Sequence, residues 1–587
     1  MHSNRKSIRS KCAAAILTLA GFSSFAHAQQ QIPSRVDIAW NRFYDYDEVT
    51  QIIKDLVSAY PELLTLQSLG KSEQGRDMWL ITLNNPETGP AEEKPAMYID
   101  GNVHGNEIQA TETVLYSIWY LTKSFGTVDQ LTELINDTAF YFLPTQNPDG
   151  RAEWFANPNT PHSARTGQRP TDNDYDGLFD EDGPEDLDGD GSITQMWKFD
   201  PNGRYRRNEL DPRIIERAPD GIQGTLSRLG SEGIDNDGDG LINEDGPGGY
   251  DMNRNWPSDW QPNHIQYGAG EYPFDRKETR AIADFILTHP NIAAGQSYHN
   301  AGGMILRGPG ANYTENLYNR SDKAVYDKLG TAGEDLLPFY KYWVIYADLY
   351  TVHGGFINWL AEGLGIVSFT NELWTDDRIS PDPSRKFTDD ERMHWQDRML
   401  FGQTFTDYTE YDHPTEGKVL IGGGTKYSSR VTPPFMLEEG CHRNFAFTMF
   451  HASNMPKISF KWIGIKQLDP DLWEVTVEIE NEHIIPTRLS LAATKNIGLP
   501  DLLTLTGPDV VLSGIVSDRS EKTISPVEHR PNMIFNDRGI PGESTSTFRF
   551  IVRGSEGQPV SLRYQAEKAR DISLETQLRV SETNPSK

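Results

Sequence analysis

The chain is 587 residues long, with 37% hydrophobic residues and a formal net charge of −30. That length exceeds one ordinary domain, and the apolar fraction suffices for sizeable cores. The acidic excess argues against a nucleic-acid partner, because phosphate binding concentrates Lys and Arg on one surface.

Arg5, Lys6, Arg9 and Lys11 precede an apolar run from Cys12 to Phe25, and Ala26-His-Ala28 supplies small residues for cleavage. Residues 1–28 therefore predict a secretory signal peptide, removed near Ala28. The run is short for a membrane span, no later stretch is long and apolar enough, and no lipid-attachment Cys follows it. The expected product is secreted or periplasmic, without stable membrane insertion. Cys12 would leave with the leader, so Cys441 has no intramolecular partner and disulfides contribute nothing. The oligomeric state is not legible.

Further along, Ala96-Met-Tyr-Ile-Asp100 reads as a short buried strand, a Gly/Asn/His turn follows, and 111–121 reads as a helix carrying an apolar stripe. His104-Gly-Asn-Glu107 thus falls where a strand ends and a helix begins. Residues 292–298 predict a strand leading into His299, and 365–370 another leading into Asn371-Glu372. In open α/β sheets, chemistry gathers at such carboxyl ends. Residues 433–453 look helical. From Pro456 onward the pattern changes to short alternating segments, such as 473–479 and 547–552, separated by Gly, Pro and Asp. That tail reads as a β-sandwich.

Two imidazoles and one carboxylate, with a fourth position left for water, satisfy a hydrolytic zinc. His104, Glu107 and His299 are the candidate ligands. Zinc can help amide hydrolysis by polarising the carbonyl and making water more acidic, and a carboxylate outside the metal shell must then carry the proton. Glu372 is that candidate. A free C-terminal carboxylate is read by a guanidinium fork, and Arg254 fits, with Asn253 and Tyr350 adding donors.

With these segments in hand, residues from about Phe43 to Asp412 resemble the M14 peptidases, the metallocarboxypeptidases of the pancreatic carboxypeptidase type. Asp251-Met-Asn253-Arg254, Gly354-Gly-Phe-Ile-Asn-Trp359 and Phe369-Thr-Asn-Glu-Leu373 carry the resemblance beside the HxxE pair and the distant His. It implies that Asp251 orients His104, that Tyr350 is the family's mobile tyrosine, and that Ile357 faces the side chain of the substrate's last residue. An apolar residue there implies preference for apolar or aromatic C-terminal residues. The family also has an oxyanion-stabilising Arg after its Asn-Pro-Asp-Gly turn. Here Asn147-Pro-Asp-Gly150 is present but the following segment is expanded, and Arg165, Lys198 and Arg204 are all candidates, with Arg165 preferred.

The segment Asp172 to Pro184 recurs as Asp235 to Pro247, with Asp186 to Thr194 between them. Calcium loops place oxygens at positions 1, 3, 5, 7 and 9 with Gly at 6. Asp172, Asp174, Asp176 and Asp180 fit, as do Asp186, Asp188, Asp190 and Thr194, and Asp235, Asp237, Asp239 and Asn243. No loop has Glu at position 12, although Asp182 and Asp245 occur one residue early, so closure must differ from an EF-hand.

The expected architecture is α/β, with a mixed central sheet flanked by helices over residues 29–455, a structural Ca²⁺-loop insertion at 165–250, and a β-rich accessory domain at 456–587. The expected function is a zinc-dependent carboxypeptidase acting on peptides or proteins with a free C-terminus. Action on cell-wall peptides, or a catalytically inactive binding protein, are the alternatives.

Overall fold

The computed structural model describes residues 32–172, 175–382, 384–516 and 524–580. The expected leader at 1–28 and Asp174 lie outside the described residues. The first helix, α1 (Tyr46–Ala59), opens with a reciprocal capping box between Asp45 and Glu48. A hairpin follows, β1 (Leu64–Lys71) and β2 (Asp77–Leu83), then β3 (Ala96–Gly101), α2 (Gln109–Ser124), α3 (Asp129–Asp137), β4 (Ala139–Leu143) and α4 (Pro148–Ala156). The Asn147-Pro-Asp-Gly150 segment is the start of α4, with the Asn147 side chain accepting from the Gly150 amide and Pro148 in the first turn. A long excursion carries β5 (Gln195–Phe199), β6 (Tyr205–Arg207), β7 (Ile215–Arg217) and β8 (Leu226–Ser231). Then come α5 (Lys277–Leu287), β9 (Ile292–Asn300), β10 (Met304–Arg307), α6 (Arg320–Leu336), β11 (Lys341–Val344), α7 (Phe356–Leu364), β12 (Val367–Leu373), α8 (Asp389–Met399), β13 (Phe405–His413), β14 (Gly417–Gly424) and α9 (Leu437–Ser453).

The main sheet has strand order β1-β2-β4-β3-β9-β12-β10-β11. Its centre is parallel, with β3 beside β4 and β9, and β9 beside β12. Strands buried on both faces need continuous apolar runs, and alternate residues feed two cores. Met97, Ile99, Phe140 and Phe142 pack with α2 and α9, whereas Tyr98, Tyr141 and Leu143 pack with α5 and α7. Because α9 covers the side of α2 away from the sheet, α2 is buried on nearly every face and not along one stripe. β9 and β12 run further than the sequence pattern indicates and carry His299 and Glu372 as strand residues.

The excursion at 165–250 is more than a string of loops. Its strands β5 to β8 join β13 and β14 in a second sheet of order β13-β14-β5-β8-β6-β7, with Leu420 opposite Trp197. Beyond α9 come β15 (Ile458–Asp469), β16 (Leu472–Asn481), α10 (Ser490–Lys495), β17 (Asp501–Thr506), β18 (Asp509–Val516), β19 (Ile524–Pro526), β20 (Met533–Asn536), β21 (Ser544–Arg553), β22 (Pro559–Ala566) and β23 (Ala569–Gln577). They form sheets of order β15-β16-β21-β18-β19 and β20-β17-β22-β23. Trp473, Val475, Phe548 and Phe550 of one meet Leu503, Val560 and Leu562 of the other in a single core, which makes a sandwich. No described helix is long and apolar enough to cross a membrane, and Cys441 is buried with no disulfide partner among the described residues.

Arg151, directly after Gly150, is fully buried with Glu112. Its guanidinium donates to Glu112 Oε1 at 2.6 Å, to Ile108 O at 2.9 Å and to Asn102 Oδ1 at 3.1 Å. This pins the turn that carries His104 to the start of α2. Arg151→Met should cost about 3–5 kcal/mol, because it strands a buried carboxylate, and adding Glu112→Leu should restore most of that loss. Urea denaturation measures both; equal midpoints for wild type and Arg151→Met would contradict this account of the turn.

Candidate active site

The β3-to-α2 turn is shaped by Asn102, which holds a left-handed φ of 58°. Its Nδ2 donates to the carbonyls of His104 at 2.7 Å, Gly105 at 3.2 Å and Glu107 at 3.3 Å. One side chain thereby replaces the ladder bonds that the turn gives up. Gly105 is obligatory for a steric reason, since a Cβ there would lie 2.2 Å from Ala164 O and 2.4 Å from the Gly150 carbonyl carbon. The Gly105 amide donates to Arg165 O at 3.0 Å. The close approach therefore brings the His104-to-Glu107 turn, the start of α4 and Arg165 together.

His104, Glu107 and His299 converge with one ligand atom each within 4.8 Å of the others. His104 Nδ1 lies 2.9 Å from Glu107 Oε1, and His299 Nδ1 lies 3.0 Å from Glu107 Oε2. On its other side, His104 Nε2 faces Asp251 Oδ1 at 3.1 Å. An Nε2–H donated to Asp251 leaves the Nδ1 lone pair as the ligand. That Nδ1 is buried without a hydrogen-bond partner among the described residues. Two imidazole nitrogens and a carboxylate pointing at one another, one of them otherwise orphaned, fit a divalent zinc ion. Burial opposes ionisation of Glu107, but His104 and His299 outweigh it and hold the carboxyl well below the usual range. Against the same penalty, His104 and Arg254 hold Asp251 low.

Glu372 stands directly beside His299 in the parallel pairing of β12 with β9. It is half-buried, and its pKa is pushed up to about 7 by burial and by the Glu107 charge, against the pull of His299 and Arg165. Arg165 Nη1 donates to Glu107 Oε1 at 2.8 Å, and its Nη2 lies 3.9 Å from Asp251 Oδ2. Lys198, on β5, pairs instead with Glu416, and Arg204 is exposed in the following turn. Arg254 is buried and donates to Asn253 O at 2.7 Å. Asn253 Oδ1 accepts from the Phe356 amide at 2.9 Å at the start of α7, which leaves the NH₂ as its donor. A Cβ on Gly354 would lie 2.3 Å from Arg254 O, so only glycine lets this segment dock there. Tyr350 follows a single π turn at Ile345–Leu349 and is 52% exposed. Ile357 is buried among Phe356, Val352 and Ile345.

Sequence reasoning missed Asn102, Arg151 and Arg430. Arg430 Nη2 donates to Glu107 Oε1 at 3.1 Å, yet no local motif surrounds it and it sits far along the chain.

In the acidic excursion, the Gly at the sixth position of each loop has a positive φ, 97° at Gly177, 90° at Gly191 and 95° at Gly240. The first and third loops are joined by an antiparallel bridge between Asp182 and Asp245. Carboxylates cluster as Asp235, Asp237 and Asp239; as Asp186, Asp188 and Glu232; as Asp176, Glu181 and Asp237; and as Asp182, Asp237 and Glu244. The expected loop residues Asp172, Asp180 and Asp190 fall in none of these clusters among the described residues. Asp180 Oδ1 accepts from the Thr171 amide, and Asn243 Nδ2 donates to Ser231 O. Glu181 and Glu244 sit at the tenth position of their loops, which the pattern does not use, and Glu232 lies outside every repeat. Burial pushes Glu232 up to about 7.

Residues 49–189 and 214–395 match the M14 family described as zinc carboxypeptidase. The match covers more than half of the chain, and the protein belongs to that family. Carboxypeptidase B of Astacus astacus is 37% identical over 116 residues, which are 20% of this chain and 36% of that protein. Carboxypeptidase D of Homo sapiens is 34% identical over 108 residues, 18% of this chain and 8% of that protein. The matched part thus spans well under half of either relative. The crystal structure of carboxypeptidase A from Helicoverpa armigera is a loose likeness, with 17% identity and a TM-score of 0.43 over 73% of this chain and 76% of that one. Residues 457–577 match a second family, described as a domain of unknown function, DUF8731.

Asp251→Asn should weaken zinc binding about 10- to 100-fold while leaving the far-UV circular dichroism unchanged, because it removes the charge that orients and strengthens His104. Competition with a chromogenic chelator reads the affinity, and an unchanged value would remove Asp251 from this role.

Proposed function

We propose that the protein is an exported zinc carboxypeptidase that releases the C-terminal residue of peptides or proteins, favouring apolar residues. The observation that carries the reading is Glu372 paired beside His299 on one flank of a zinc-type trio, with the Asp251 to Arg254 segment on the other. His104, Glu107 and His299 would hold the metal. Bound zinc supplies a Lewis acid for the scissile carbonyl and makes water more acidic.

The chain's own groups do the rest. Arg254 grips the substrate's terminal carboxylate, Asn253 adds its NH₂, and Tyr350 supplies a further donor from the surface. Arg165 donates to the carbonyl oxygen as negative charge develops there. Glu372 accepts the proton of the attacking water and passes it to the leaving amine. The apolar Ile357 offers no charge to a C-terminal Lys or Arg. Export is supported by the leader pattern at 1–28.

Glu372→Gln should keep zinc and lose at least about 100-fold in kcat, whereas His104→Ala and His299→Ala lose zinc and activity together. Metal analysis and release of amino acids from a mixed peptide library, free and C-terminally amidated, test this. Equal zinc loss in all three variants, cleavage of amidated peptides as fast as free ones, or preferential release of Lys and Arg would each sink the matching part of the proposal.

Calcium in the acidic excursion belongs to the same proposal. Its support is the repeated loop spacing, the positive-φ glycines and the sharing of acids between loops. The third loop ends just before Asp251, so unneutralised repulsion there would loosen the carboxylate reader. A calcium-selective chelator should lower Tm by about 4 °C or more and raise KM more than it removes zinc. Unchanged Tm and KM in a protein that purifies without calcium would end this part.

A further inference from the structure

The segment that carries Arg254 and the segment that carries Tyr350 are joined by a side-chain cluster outside the sequence motifs. The Trp256 amide donates to Gly354 O at 3.1 Å, and the Gly354 amide donates to Ser258 O at 3.2 Å, so the two segments lie side by side. Next to that pair, His353 Nδ1 is 2.8 Å from Asp259 Oδ2, with each side chain 14% exposed. An ionised carboxylate only accepts, so His353 carries a proton on Nδ1 and donates it. The Tyr313 hydroxyl donates to the same carboxylate, 2.7 Å from Oδ1 and 2.8 Å from Oδ2. Its ring stacks on the His353 ring with centroids 6.4 Å apart.

Asp259 holds a left-handed φ of 51°, a conformation that surrounding structure must impose on a non-glycine residue. The His353 amide donates to Gln266 Oε1 at 3.1 Å, and the Val352 amide donates to Gly310 O at 2.9 Å. Three separate stretches of chain, around Asp259, Gln266 and Gly310 to Tyr313, thus converge on Val352 and His353. Just upstream the chain turns outward: Thr351 is exposed and Tyr350 is 52% exposed. The Tyr350 amide bonds within its own π turn, to Ile345 O at 3.0 Å. Tyr350 is therefore anchored to the Arg254 segment from its downstream side, through His353 three residues away.

We propose that His353 is a positioning residue for substrate binding: its bond to Asp259 fixes the 350–354 segment against the Arg254 segment, and so sets the spacing between the Tyr350 hydroxyl and the Arg254 guanidinium that together grip the terminal carboxylate. His353 touches neither substrate nor metal in this role and acts through Tyr350. Tyr313 supports it by holding the Asp259 carboxylate in place. The proposal rests on the carboxypeptidase reading of the site, to which it adds a side chain that controls affinity for the free carboxylate.

The test measures release of Phe from N-acetyl-Ala-Ala-Phe by the full-length zinc enzyme, calorimetric binding of that peptide and of its C-terminal amide to the metal-free protein, and hydrogen exchange of the 350–354 amides. His353→Ala should raise KM about 10-fold, as expected for loss of one hydrogen bond to a charged group, with kcat and zinc content little changed. Asp259→Asn should shift KM in the same direction. His353→Asn, whose Nδ2 stands at the same place along the side chain as the imidazole Nδ1, should recover most of the loss. In a Tyr350→Phe background His353→Ala should add less than about 2-fold, because residues acting through one another are not additive. Binding of the acid to the metal-free protein should weaken in His353→Ala while binding of the amide stays the same, a readout independent of turnover. The 350–354 amides should exchange faster in that variant. An equal loss with and without the Tyr350 hydroxyl, no recovery in His353→Asn, equal weakening of acid and amide binding, or loss of zinc would each overturn the proposal and leave His353 a packing residue. If wild type releases no Phe, the carboxypeptidase reading fails and the exchange comparison alone decides the tether: unchanged exchange in His353→Ala would overturn it.

Discussion

The catalytic centre depends on keeping one buried carboxylate ionised. Glu107 is 1% exposed, and a lone charge at that depth would neutralise itself by taking up a proton. Here both imidazoles and the guanidiniums of Arg165 and Arg430 face it, and the Asn300 amide donates to its second oxygen. The surrounding chain is arranged around that requirement: Asn102 folds the turn that presents Glu107, Gly105 lets Arg165 approach, and the pairing of β9 with β12 sets Glu372 beside His299. Contact with two guanidiniums and two imidazoles also explains why Glu107 and Glu372 are shifted in opposite directions. Glu107 has the guanidiniums of Arg165 and Arg430 in direct contact. Glu372, driven by burial and then by Glu107's charge, shifts the other way.

The second sheet shows how chain from distant parts completes the site. β13 and β14 lie beyond the family match, and they are held by pairing with β5 of the acidic excursion. The chain leaving β14 delivers Arg430 to Glu107 a few residues later. The excursion and the distal hairpin thus stabilise each other, and His413 Nε2 lies 3.0 Å from Gly233 O across the same junction. Disturbing the acidic loops would reach the active site by two routes, through Asp251 and through Arg430.

The C-terminal sandwich is tied to the catalytic unit by specific polar contacts. Asp322 of α6 accepts from the Ser490 and Leu491 amides at the start of α10, at 2.9 and 2.8 Å, satisfying donors that a helix start leaves open. Arg570 donates to Thr88 O and Asn136 O, and Lys568 donates to Ile292 O at 2.7 Å, where β9 begins. These contacts brace the end of β9 opposite His299, a positioning and stabilising arrangement with no reacting group in it.

Much of this was legible in the sequence because it depends on local pattern. Apolar runs bounded by turn residues marked β3, β9 and β12. The HxxE pair, the Asp251 to Arg254 segment and the Gly354-Gly355 pair marked the segments that the fold brings together, since residue type and short spacing are local. The repeated Asp/Gly spacing likewise marked the loops, but not which acids meet: Glu181, Glu232 and Glu244 enter the clusters only because the strands around them bring separate loops together. Of Arg165, Lys198 and Arg204, it is Arg165 that the contact of Gly105 with Ala164 brings beside Glu107, and the pairing of β14 with β5 delivers Arg430. The burial of α2 on nearly all sides likewise came from α9 packing over it. Local sequence determined the donor groups and the turns that present them; tertiary structure decided which distant charges surround Glu107, because that depends on through-space packing between segments whose separation along the chain carries no periodic signal.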